Sequence, residues 1–78
     1  MDLNVKREYG HPELPWKVVG VEDDDVTVLY ECNSSEACVR FLTGYTRREN
    51  AGNWDRIAVV DTRSEPIYVL RMWEREED

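Results

Sequence analysis

The sequence predicts an α+β fold, a two-layer β-β-α-β-β domain with one helix packed on a four-stranded sheet. Three observations point there. Four runs of strand length, "WKVVGVE", "VTVLYEC", "RIAVVDT" and "PIYVLRMW", are rich in β-branched and aromatic residues. Between the second and third, apolar residues recur at helical spacing. And 78 residues hold one small core, which one helix on one sheet fills. A single domain is expected over 1–78, with an N-terminal arm at 1–15, a folded core at 16–73 and a charged tail at 74–78.

In the arm, Leu3, Val5, Tyr9 and Leu14 give some capacity to cover apolar surface, and Pro12 and Pro15 bracket the entry to the first strand. The first two strands, over 16–22 and 26–32, are joined by the acidic turn Asp23, Asp24 and Asp25, which makes them a hairpin. The helix follows with Asn33 as N-cap and Glu36 as its capping-box partner, or with Ser34 as the cap. Ala37, Cys38, Phe41, Leu42 and Tyr45 share an arc of about 140° on a helical wheel, which gives one apolar face. The helix is expected to end near Glu49, with Asn50 and Gly52 in "NAGN" as candidates for the left-handed closing residue. The last two strands, over 56–62 and 66–73, pair across "RSEP", with Trp54 leading in and "EREED" as the tail. No internal repeat alters this reading. Two sheet arrangements remain open: the third strand parallel to the second through a right-handed crossover, or antiparallel to the first.

At 41% hydrophobic residues with three Trp, four Tyr and one Phe, the chain has the apolar content that disordered sequences lack. It contains no run of about 18 apolar residues and no basic-flanked apolar leader, so the expected compartment is the cytosol, with no membrane partner. There a Cys32–Cys38 disulfide is disfavoured, and both cysteines read as small core residues. The formal charge of −7 is unevenly spread, with acidic ends around a nearly neutral middle. Such a surface repels phosphate backbones at long range.

Catalytic and metal chemistry find little to stand on. The "EDDD" turn lacks the alternating oxygens and glycine bend of a calcium loop. Cys32, Cys38 and the lone His11 fall short of a zinc set, and no glycine-framed serine with a second histidine is available for a triad. No cofactor, metal or catalytic set is therefore expected, and the chain reads as a non-enzyme. Arg40, Arg47, Arg48 and Arg56 form a candidate nucleic-acid patch if they converge on one face. A solvated flank that pairs Arg40 and Arg47 with Glu36 and Glu49 is the simpler account of the helical members.

The sheet carries the sharpest expectation. In "IYVLRMW" both alternating sets are apolar, with Ile67, Val69 and Trp73 on one face and Tyr68, Leu70 and Met72 on the other. The first hairpin behaves alike: Trp16 and Val18 oppose Val19 and Val21, and Val26, Val28 and Tyr30 oppose Leu29. One helix covers one face, so the other needs the arm, a second copy of the chain or a partner. Trp16, Tyr68 and Trp73 are the candidate aromatic anchors for a protein partner, and Asp23, Asp24 and Asp25 the candidate steering charges.

The run "ECNSSEACVRFLTGYTRRENAGNWDRIAV" resembles a segment of small uncharacterised accessory proteins of tailed bacteriophages of GC-rich hosts. The likeness rests on Asn33 and Ser34, Glu36 and Ala37, Phe41 and Leu42, Tyr45, Arg47 and Arg48, then Gly52, Trp54 and Asp55. Ser35 and Glu36 stand where an acidic pair is usual, and Cys38 has no counterpart. The resemblance implies an accessory protein without an assigned reaction that binds or inhibits a host protein complex in the bacterial cytoplasm. A nucleic-acid-binding regulator and a homodimeric structural domain are the alternatives.

Overall fold

The computed structural model describes residues 13–23, 25–47, 54–64 and 66–75. Its elements are β1 (Trp16–Glu22), β2 (Asp25–Cys32), α1 (Ser35–Thr46), β3 (Arg56–Asp61) and β4 (Tyr68–Glu74). The sheet order is β2-β1-β3-β4 and every neighbouring pair is antiparallel. Of the two arrangements left open by the sequence, the chain takes the wholly antiparallel one, with the helical connection carried from the β2 edge past β1 to β3. The domain is α+β with the element order read from the sequence.

Both hairpins carry an irregularity that the strand pattern hides. In β1–β2 the register shifts so that Val18 faces Tyr30 and Val19 faces Val28, which leaves Leu29 as an extra residue. In β3–β4 it shifts so that Val59 faces Arg71 and Val60 faces Val69, which leaves Leu70 as the extra residue. A bulge of this kind puts two residues of one strand opposite a single residue of the other and resets the alternation beyond it.

Two face assignments from strict alternation are corrected accordingly. Tyr30 joins Leu29 against the helix-side cluster, while Val26 and Val28 pack on the opposite side. Likewise Trp73 packs on the helix side, whereas Ile67 and Met72 pack behind the sheet. The apparent two-sided apolarity of these strands comes partly from two continuous patterns spliced out of phase.

The helix-side core joins Val18, Cys38, Leu42, Ile57 and Val59, with Trp16, Leu29, Tyr30, Cys32, Phe41, Tyr45, Trp54 and Trp73 around it. Behind the sheet, Val19, Ala58 and Val60 are fully buried. The second face is therefore sealed within the single chain at the two central strands, and shielding it requires neither a second copy nor a partner. The arm residues Leu3, Val5 and Tyr9 lie outside the described residues. Of the arm's end, the Leu14 carbonyl accepts from Lys17 Nζ at 2.7 Å, and the Pro15 carbonyl accepts from the Thr62 N–H at 3.0 Å and hydroxyl at 3.1 Å.

Ser34 is the N-cap of α1, its Oγ accepting from the Ala37 N–H at 3.3 Å, and Glu36 places an acid in the first turn. That position favours a carboxylate by the helix dipole. The helix closes at Thr46, short of Glu49, with the Arg47 N–H bonded to the Gly44 and Tyr45 carbonyls. Thr43, Gly44 and Thr46 are weak helix formers and weaken the last turn. The "NAGN" stretch lies outside the described residues.

Two contacts tie α1 to the sheet. Phe41 stacks on Tyr30 at 4.7 Å between centroids, and Tyr45 stacks on Phe41 in turn. Trp54 donates from Nε1 to the Tyr45 hydroxyl at 2.8 Å. The indole lies so close over Gly20 that a Cβ there would meet Trp54 Cδ2 at 2.6 Å. Gly20 is thus required by a close approach of a ring to the backbone.

Candidate functional site

A groove of about 490 Å³ runs between α1 and β4, lined by Ser35, Glu36, Val39 and Arg40 from the helix and by Leu70 and Arg71 from the strand. Its origin is the asymmetric seat of the helix. The main contacts of α1 are with β1, β2 and β3, so the helix side of the β4 edge stays open. At the β4 bulge Leu70 is left unpaired between Val69 and Arg71, and both Leu70 and Arg71 line that opening.

Beside the groove, Tyr68, Val69 and Leu70 are 50%, 37% and 36% exposed, the exposed large hydrophobic residues among those described. Tyr68 on the helix side and Leu70 at the bulge flank the groove as exposed apolar residues, whereas Val69, paired with Val60, faces behind the sheet. Arg40 and Arg71, both exposed, bring two guanidinium groups to a groove that holds one carboxylate, Glu36, among the described residues. The groove is locally basic on a chain whose net charge is −7.

The three proposed aromatic anchors all lie on the helix side of the sheet. Trp16 pairs with Asp61, which pairs with Tyr68, so Trp16 and Tyr68 occupy one row across the sheet. Trp16 is half-buried, Tyr68 is exposed, and Trp73 is half-buried opposite Ile57. Between Trp16 and Tyr68, the buried Asp61 accepts from the Arg63 guanidinium at 3.1 and 3.0 Å and from the Arg63 N–H at 2.9 Å. Those bonds to Arg63 hold its carboxyl below the usual range against the opposing effect of burial, and the pairing raises the guanidinium in turn.

Of the acidic turn, Asp23 is exposed in the left-handed region at φ 55°, and its N–H donates to Asp55 Oδ2 at 2.9 Å. Asp55 also accepts from Arg75 at 2.7 Å, so one carboxylate ties the β1–β2 turn to the end of β4. Asp25 is exposed and opens β2 opposite Glu22. Asp24 lies outside the described residues. Among the described residues, no group of three or more His, Cys, Asp or Glu is placed to hold a metal ion, and no helix is long and apolar enough to cross a membrane.

The four arginines are not brought together. Arg40 and Arg47 are exposed on α1, whereas Arg56 pairs with Val21 and precedes the helix-side Ile57, which places it on the opposite sheet face. Arg48 lies outside the described residues.

Cys32 is half-buried and Cys38 buried, both as free thiols. Burial, reinforced by the neighbouring Cys32, pushes the Cys38 thiol up to about 11. It stays protonated, and therefore a poor nucleophile, at neutral pH. Tyr30 is also raised, first by its hydrogen bond with Cys32. The sequence reading missed Leu70, Arg71 and Val39 as a group. The available signal was the shared "VL" before Tyr30 and before Arg71, which marks both bulges. No family model, curated protein or solved structure matches the chain.

Proposed function

We propose that this chain is a non-enzymatic protein-interaction domain that docks a protein partner along β4 and the adjoining groove. The observation that carries the reading is the exposed pair Tyr68 and Leu70 beside two exposed arginines on an otherwise acidic molecule. Apolar contact supplies affinity there, and the guanidinium pair selects what sits on it. Recognition chemistry suits these groups: among the described residues, the one hydroxyl lining the groove, that of Ser35, has no imidazole beside it to activate it.

The resemblance over 33–55 supports a phage-encoded accessory protein whose partner is a bacterial host protein complex. The acidic turn at Asp23 and Asp25 supplies long-range steering toward basic partners, a role that does not require it to lie in the contact itself. The test is capture from host cytosol with the intact chain, set against the Tyr68→Asp and Leu70→Asp variants and followed by mass spectrometry. A protein retained saturably by the native chain and lost with both variants is expected. Absence of any retained protein, or retention that ignores both substitutions, overturns the proposal.

A further inference from the structure

The two hairpins are copies of one design. Stepping from β1–β2 to β3–β4 at constant spacing matches Val18 with Val59, Val19 with Val60, Val28 with Val69 and Leu29 with Leu70, and matches Tyr30 with Arg71. The bulge falls at the same place in each. Moreover, Val18 and Val59 pair directly in the sheet centre. Exchange of the hairpins therefore returns that pair to itself, and a local twofold passes through it perpendicular to the sheet.

Among the described residues, only one hairpin has a helix on its bulge. α1 sits on Leu29 and Tyr30 with Phe41 stacked on the Tyr30 ring. The equivalent seat on the second hairpin is the groove floor of Leu70 and Arg71, with the flank of α1 as its wall. The main contacts of α1 are with β1, β2 and β3, and packed helices lie about 8–10 Å apart, about two strand spacings of about 4.8 Å, which sets a second helix over the β4 edge.

The chemistry of the seat has changed at one position, and that change identifies the occupant. Tyr30 presents a ring to an aromatic side chain; Arg71 presents a guanidinium in the same place, with Arg40 facing it from α1 and no ion pair for either among the described residues. A carboxylate is the bidentate partner of such a group. We infer that the groove between α1 and β4 docks an amphipathic helix of a partner protein, antiparallel to α1, that sets apolar residues on Leu70 and Val39 and a carboxylate on Arg71. This inference rests on the docking function proposed above and names the class of partner.

The probe is a synthetic peptide of residues 33–47 with Phe41→Glu, held helical by a lactam staple between position 43 of α1 and its C-cap position 47, both exposed. It is titrated into the ¹⁵N-labelled intact chain and followed by amide shifts. Saturable shifts centred on Val39, Arg40, Leu70 and Arg71 are expected, with affinity at least tenfold lower for the peptide that keeps Phe41. The Arg71→Glu chain loses the Glu peptide by a similar factor and gains one with Phe41→Lys. Shifts elsewhere, no saturation at millimolar peptide, or affinity indifferent to Arg71→Glu overturns the inference. If the helix fails while Leu70→Asp still abolishes capture of a host protein, the docking function stands and the helical partner falls. An extended peptide that perturbs the outer edge of β4 is the outcome expected of strand addition, and it also overturns the helical assignment.

Discussion

Replacing Gly20 with alanine tests how α1 is fastened to the sheet. A Cβ at position 20 would lie 2.6, 2.8 and 2.9 Å from three atoms of the Trp54 indole, closer than such contacts occur, so the ring must move. Its movement breaks the 2.8 Å hydrogen bond to Tyr45, worth about 1 kcal/mol net. Overpacking adds about 1–3 kcal/mol. Against these, alanine restricts the unfolded chain and returns about 0.4–1 kcal/mol. The net loss is about 2 kcal/mol, or about 10 °C of melting temperature in a domain of this size. Urea unfolding followed by circular dichroism measures it, with Trp54→Ala as the second background. Once the indole is gone, Gly20→Ala has space and becomes neutral or slightly stabilising. An equal loss in both backgrounds would refute the steric argument, because the cost would then belong to the backbone at position 20 and not to the ring above it.

The buried thiol gives a pH prediction with a definite sign. The folded-state value of Cys38 lies above its ordinary 9.0, at about 11, so its stabilising contribution is complete below pH 9 and is lost as pH rises from there through 11. Cys38→Ala lowers stability at neutral pH but flattens this alkaline slope, measured by urea midpoints from pH 7 to 11; an unchanged slope would contradict the assignment. On the other face, Lys17 is fully buried and bonds Glu31 Oε2 at 2.8 Å, while Glu31 keeps 28% of its side chain exposed. Glu31→Ala, which removes a carboxylate from a buried ammonium, is expected to cost about 3 kcal/mol. Lys17→Met costs less, since the abandoned carboxylate can turn to water, and reversed ranking in denaturation would show that the pair is not what matters there.

Element order, helix face and the extent of β1 are legible in the sequence because each follows from local pattern: β-branched runs, a Ser34 cap, and apolar positions at helical spacing. The antiparallel β1–β3 pairing is not, because it depends on where the helical connection sets the chain down. The bulges at Leu29 and Leu70 defeat strict alternation, since one extra residue leaves the run apolar on both sides, and the "VL" that the two share stands out only when the hairpins are laid over each other. That miss carried through to the candidate site. Trp73 and Tyr68 were placed on opposite faces by alternation, whereas both lie on the helix side, and the greasy second face proved to be ordinary core. Trp16, Tyr68 and Trp73 are legible in the sequence as candidate aromatic anchors, but not as residues of one face. Arg71 looked like an interruption of an apolar strand, and only the bulge reveals it as the floor of a groove beside Arg40. The burial of Lys17 is not legible either, because nothing in its sequence neighbours announces an ion pair with Glu31 from the adjacent strand.

The docking claim is tested most directly by photo-crosslinking in host cytosol, with a benzophenone side chain placed at position 70 or at the exposed position 27 on the matching strand of the first hairpin. The account predicts a discrete protein adduct from position 70 that disappears with Arg71→Glu, and none from position 27. Equal adducts from both positions, or none from position 70, would contradict it.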